Sequence, residues 1–230
     1  MIRPITFCAG EYYHIYHRGN LKQPIFFDDS DRWRFITLLM LLQSLEEIPN
    51  LHAIVPEFKK LVIQGNLDSP NASQQLRGLL LSVRENTKAN LINLTLMPNH
   101  FHLTLGAQTD NAISRYMQRA LNSHTKYMNA KYERTGHLFQ GPFGAKHVSS
   151  NDQLLHLSCY IHRNQHELPE WRGKEKEYPW STYKDYCGTN RWGHLLQNKI
   201  ILDQFDSPKD YEMHLEDSAA KLSEDEWLEL

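Results

Sequence analysis

The chain has 230 residues, 40% hydrophobic and 23% charged with a formal net charge of −2, which suits one large globular domain or one domain with additions. No stretch approaches the roughly 20 apolar residues of a membrane span, and MIRPITFCAGEYYH lacks the basic-then-apolar layout of a secretion signal. Cys8, Cys159 and Cys187 have no paired spacing and indicate neither a disulfide framework nor a cysteine zinc site, so a reducing, cytoplasmic setting is expected.

YYHIYH at 12–17 has the aromatic and β-branched content of a strand, closed by the turn residues Arg18-Gly19-Asn20. Asp28-Asp29-Ser30-Asp31 supplies cap residues for a helix through WRFITLLMLLQSL, where Trp33, Ile36, Leu39 and Met40 keep a helical period. Residues 46–90 hold two short amphipathic pieces punctuated by Pro49, Pro56, Gly65 and Pro70, and are expected to be an insertion. In 91–105 the apolar positions are even before Pro98 (Ile92, Leu94, Leu96) and odd after it (Phe101, Leu103, Leu105). One straight strand cannot switch parity without turning its apolar face outward, so two strands joined at Pro98-Asn99 are predicted. Residues His100, His102 and Thr104 then share one face of the second strand.

An amphipathic helix follows over 112–132, with Ile113, Tyr116, Met117, Ala120, Leu121, His124 and Met128 on its apolar side. HLFQGPFGAKHV reads as a glycine-punctuated hairpin or loop with strand ends, and Ser150-Asn-Asp-Gln153 opens a helix over 151–164. Beyond it lie the Pro- and Trp-rich YPWSTYKDY and an acidic C-terminus. Residues 201–230 carry ten acidic against two basic side chains, leaving 23 Lys and Arg against 17 Asp and Glu elsewhere. A mildly basic body with an acidic appendage is compatible with nucleic-acid binding. The expected organisation is one domain over 1–200, interrupted at about 46–90, and an acidic extension over 201–230.

Two imidazoles on one strand face can hold a divalent ion and leave positions open, or they can be a buried structural pair; spacing alone allows both. Tyr160 and Asn164 are one helical turn apart and point the same way. They read as an edge-of-core pair or as a phenolic nucleophile beside an amide oxygen ligand. A phenol with a pKa near 10 would need help from a metal at the scissile phosphate.

Taken in order, YYHIYHRGN, PIFFDDSDRWRF, LMPNHFHLTL, SRYMQRALNSHTKYMNAKY, GHLFQGPFGAKHV, LSCYIHRNQ and YPWSTYKDYCG resemble the single-tyrosine HUH transposases, and among them the REP-associated tyrosine transposases of bacteria. The resemblance runs from about residue 12 to about 190. It implies an α+β fold, a central antiparallel sheet with helices packed on one face, ferredoxin-like in the manner of an RNA-recognition motif. His100 and His102 would be metal ligands, with Phe101 facing the core, and Asn164 would be the third ligand. Tyr160 would attack a phosphate of single-stranded DNA, giving a covalent 5′-phosphotyrosine and a free 3′-OH, and reversal with another 3′-OH would join strands. Mg²⁺ or Mn²⁺ suits such a nitrogen and oxygen donor set. The implied partner is hairpin-forming DNA of the REP-like kind in a bacterial cytoplasm. Arg115, Arg119 and Lys126 on the long helix, with Lys131 and Arg134 beyond it, are candidates for phosphate contacts, though the plainer reading of any one is a solvated helix face. The family commonly reads Asn-Pro where this chain has Asn164-Gln165-His166, which would extend the helix past Asn164.

Both histidines and the tyrosine are present, favouring an active strand-transferase over a domesticated, catalytically silent DNA- or RNA-binding protein on the same scaffold. A hydrolase acting through water would need a base, for which His156 is the candidate. Some relatives build each site from two chains, so monomer and homodimer are both open.

Overall fold

The computed structural model describes residues 5–218. YYHIYHR forms β1 (Tyr12–Arg18), and the two segments either side of Pro98-Asn99 form β2 (Ala89–Leu96) and β3 (His100–Ala107). With β4 (Gly144–Val148) they make an antiparallel sheet in the order β2-β3-β1-β4. The predicted turn is closed by Met97 N–H donating to His100 O at 2.9 Å, and Leu96 then lies opposite Phe101 on the apolar face. The even-numbered run does not persist through β2. A bulge between Leu91 and Asn93 makes Ile92 the extra residue, so Leu91 returns to the apolar face opposite Leu105.

Between β1 and β2 lie α1 (Asp29–Leu41), α2 (Leu51–Ile63) and α3 (Gln74–Asn86). α4 (Ala112–Lys131) joins β3 to β4, giving the β-α-β-β-α-β order of ferredoxin-like folds with α2 and α3 added. The Asp28 carboxylate accepts from Asp31 N–H at 2.9 Å while that of Asp31 accepts from Asp28 N–H at 3.2 Å, a reciprocal cap that starts α1 where the sequence put it. α1 and α4 cover the apolar face of the sheet: Phe35 of α1 meets Phe101 with ring centroids 5.3 Å apart, and the Tyr116 hydroxyl of α4 donates to Leu39 O at 2.6 Å. The region expected as an insertion packs from outside, Phe58 of α2 stacking near the buried Trp192.

α5 (Asn151–Arg163) crosses the opposite face of the sheet, followed by α6 (Tyr183–Cys187), α7 (Lys199–Leu202) and α8 (Pro208–Asp217). The stretch YPWSTYKDY runs along the outer edge of β2. Tyr178 and Tyr186 hydroxyls donate to Leu96 O and Ile92 O at 2.6 and 2.8 Å, Leu96 N–H donates to Trp180 O at 2.9 Å, and Thr182 N–H to Leu94 O at 3.0 Å. This closes an edge that would otherwise present unpaired backbone groups. Of the acidic extension, residues 219–230 lie outside the described residues. None of the described helices is long and apolar enough to cross a membrane.

Candidate active site

Strand alternation puts His100, His102 and Thr104 of β3 on the face away from α1 and α4, together with His14, Tyr16 and Arg18 of β1 and Lys146 of β4. The two β3 imidazoles are buried and nearly perpendicular, ring centroids 5.2 Å apart. Gly144 lets this face close up: a Cβ there would collide with the Tyr16 ring, which lies 6.1 Å from that of His102.

α5 delivers the other two residues. Its start is capped by the Ser150 hydroxyl accepting from Gln153 N–H at 3.2 Å, while Gln153 Oε1 accepts from Ser149 N–H at 2.9 Å. Buried Leu154, Leu157 and Ile161 turn Tyr160 and Asn164 toward the histidines. The Tyr160 ring stands edge-on to His102 at 5.3 Å and to His14 at 5.9 Å, and the residue is only 6% exposed. The chain does continue helically past the tyrosine, as a 3-10 turn over Asn164–Glu167 with Asn164 as its first residue. Its Oδ1 lies 3.2 Å from His100 Nε2.

The hydrogen bonds constrain the protons. Asn99 Nδ2 donates to Lys22 O at 3.1 Å, so its Oδ1, 2.7 Å from His100 Nδ1, accepts from that nitrogen. Burial pushes the His100 imidazole down to about 4, the Arg18 charge adding to this and the Asn164 contact opposing it, so at neutral pH it carries one N–H only. His100 Nε2 then presents a lone pair to Asn164 Oδ1. Two electron-rich atoms at that distance are stabilised by a cation between them or by turning the Asn164 amide to donate. His102 is likewise held neutral, by burial and then by the neighbouring His14, His100 and Arg18. Its Nδ1 is 2.9 Å from His14 Nε2, while its Nε2 is buried with no hydrogen-bond partner. Among the described residues no three His, Cys, Asp or Glu side chains gather as a metal site. A metal here would therefore rest on two imidazoles and an amide oxygen. That neutral, incomplete donor set fits an ion that keeps open positions, and the orphaned His102 Nε2 fits it too.

The basic residues expected to contact DNA are dispersed. Arg115, Arg119, Lys126 and Lys131 belong to α4 and stand across the sheet from the histidines. Arg115 and Lys126 are exposed, Lys126 at the mouth of a cleft of about 680 Å³ between α1, the start of α2 and α4. Arg119 donates to the carbonyls of Leu45 and Glu46, Lys131 pairs with Asp28 and Asp31 at 2.7 Å each, and Arg134 donates to Gln23 Oε1 at 2.7 Å. Arg18 and Lys146, which the sequence reading passed over, occupy the histidine face itself. So does His14, missed because its partner is set by the β1–β3 register; the even spacing of His14, Tyr16 and Arg18 was the available signal. His156, the alternative base, is held below its ordinary pKa by burial and then by His214.

Residues 53–164 match the family model described as "Transposase IS200 like", a stretch containing both β3 histidines, Tyr160 and Asn164. Among solved structures, the chain is similar to one titled "Structure of the REP associates tyrosine transposase bound to a REP hairpin". The two are 14% identical with a TM-score of 0.42, over 80% of this chain and 83% of that one. No curated protein matches the chain. Over residues 53–164, the chain is similar to the IS200-like transposases.

Proposed function

We propose that this chain is a metal-dependent, single-tyrosine transposase that cleaves and rejoins single-stranded DNA beside a hairpin. The observation that carries this is the convergence of Tyr160 and Asn164 from α5 on the two β3 imidazoles, whose Nδ1 atoms are already engaged. His100, His102 and Asn164 would hold a Mg²⁺ or Mn²⁺ ion, which when bound neutralises charge on the scissile phosphate and polarises it. The Tyr160 oxygen bonds to phosphorus as the P–O3′ bond breaks, and the phenolic proton passes by way of solvent to the departing 3′ oxygen. The product is a 5′-phosphotyrosine and a 3′-OH, and one phosphodiester has been exchanged for another. Attack by a second 3′-OH runs the same step backwards and joins the strands. Arg18 and Lys146 on the site face hold the flanking phosphates, while exposed Arg115 and Lys126 contact DNA elsewhere. One chain supplies all four site side chains, so this reading needs no second copy to complete the site.

The test is a hairpin oligonucleotide with randomised single-stranded flanks, labelled at its 3′ end and incubated with Mn²⁺. The intact protein is expected to retain label through denaturing electrophoresis, and Tyr160→Phe to lose it. Cleavage that survives Tyr160→Phe would move the chemistry to water. DNA binding with no adduct or cleavage by the intact protein would leave a silent binding scaffold.

A further inference from the structure

A metal takes only a neutral imidazole, and the single proton of neutral His100 has two claimants. Asn99 Oδ1 lies 2.7 Å from Nδ1, and Asn164 Oδ1 lies 3.2 Å from Nε2. Whichever amide loses the proton faces a lone pair, and is relieved only by turning its NH₂ group inward. The two amides are not equally able to turn. The Asn164 side chain has no second hydrogen bond among the described residues, so its amide turns without loss. Asn99 Nδ2 is already donated to Lys22 O at 3.1 Å, and a turned Asn99 would set its oxygen against that carbonyl. A tight turn over 19–23 presents the carbonyl. Leu21 and Lys22 both have left-handed backbones there, with φ of 52° and 58°, and Lys22 N–H donates to Gly19 O at 2.9 Å. Such strained residues persist only where their surroundings over-determine them. Gly19 N–H closes the arrangement by donating to Asn99 O at 2.8 Å.

We infer that Asn99, locked by the Lys22 carbonyl, is a positioning residue that keeps the His100 proton on Nδ1 and so leaves Nε2 and Asn164 Oδ1 both open to a metal. Without it the proton moves to Nε2 and is donated to Asn164 Oδ1. One internal hydrogen bond then closes two of the three candidate ligand atoms. The inference rests on the metal-site reading above, and outer partners of this kind typically change metal affinity by about 10- to 100-fold. Asn99→Ala and Asn99→Leu remove both bonds of the amide. Asn99→Asp keeps the acceptor for His100 and loses the donor to Lys22.

Long-range proton–nitrogen NMR of the metal-free protein reads the His100 tautomer, and calorimetric titration with Mn²⁺ reads the consequence. The intact protein is expected to show His100 protonated on Nδ1. Asn99→Ala and Asn99→Leu should move the proton to Nε2 and bind Mn²⁺ about tenfold or more weakly. Asn99→Asp should keep both the Nδ1 proton and the Mn²⁺ affinity. Either acceptor-less variant suffices if the other fails to fold. If Asn99 merely pinned the turn, Asn99→Asp would lose Mn²⁺ affinity along with the others, and that result overturns the inference. So does an Nε2–H tautomer in the intact protein, or acceptor-less variants with tautomer and affinity unchanged. Failure of the intact protein to bind Mn²⁺ with His100 still protonated on Nδ1 would instead overturn the metal reading and leave the tautomer assignment standing.

Discussion

Lys126 and Lys131 share α4, one exposed at the mouth of a cleft, the other bonded to Asp28 and Asp31 at 2.7 Å each. In sequence they looked alike, because charge does not reveal which lysine has a buried carboxylate beneath it. Asp31 is fully buried, so removing its counter-ion leaves a buried charge held only by the Phe27 and Asp28 N–H groups and the Tyr132 hydroxyl. Lys131→Ala is expected to lower unfolding free energy by roughly 3 kcal/mol in urea titrations. Lys126→Ala should leave the urea midpoint in place and weaken binding to single-stranded DNA, reducing the salt slope by about 1. Equal stability losses in the two variants would refute this division. Asn164 allows a second test at the same scale. Asn164→Ala should keep the fold and weaken Mn²⁺ binding about tenfold, whereas an amide that merely caps α5 would leave calorimetric affinity unchanged.

Among the elements, α5 does two things at once. One edge bears Tyr160. On its other side a buried chain of hydrogen bonds runs outward from the sheet: Leu94 N–H to Thr182 Oγ1 at 3.0 Å, Thr182 to His162 Nε2 at 2.9 Å, His162 Nδ1 to the Tyr211 hydroxyl of α8 at 2.6 Å, and that hydroxyl to Ser158 Oγ at 2.7 Å. Arg163 adds bonds to Leu215 O at 3.2 Å and Ser218 O at 3.0 Å. Tyr211→Phe keeps the ring but strands His162 Nδ1, and is expected to cost roughly 1–3 kcal/mol by urea denaturation. A midpoint unchanged from the parent protein would mean that the hydroxyl carries no stability. Periodicity was enough to find α5, α4 and the β2–β3 turn, since each depends on neighbours in sequence. The His14–His102 contact, the Ile92 bulge and the Thr182–His162–Tyr211 chain depend on which distant segments pair, and no local pattern encodes that. YPWSTYKDY escaped prediction for a related reason: it follows β2 through tyrosine hydroxyls and scattered backbone bonds rather than by alternation.

For the molecule as a whole, buried neutral histidines set the response to acid. Burial pushes His162 down to about 3, and His124, which donates to Ile25 O at 2.9 Å, to about 4. Unfolded, each would titrate near 6.5. Between those values the unfolded chain binds more protons than the native one, so stability is complete above about 6.5 and falls as pH drops toward 4 and then 3. Each contributes up to roughly 1.4 kcal/mol per pH unit in that window, whose upper part, from about 6.5 to about 5, lies above the range where ordinary carboxylates titrate. The urea midpoint should therefore be clearly lower at pH 5 than at pH 7, and a flat profile would contradict this account. The chain of bonds from Leu94 to Ser158 also bears on motion. Tyr160 lies between Ser158 and His162 on one helix, so lifting it from the histidines must break both bonds at the Tyr211 hydroxyl together or carry α8 along. The helix that carries Tyr160 and the last described helix thus form a single lever, with the buried Tyr211 phenol as its fulcrum.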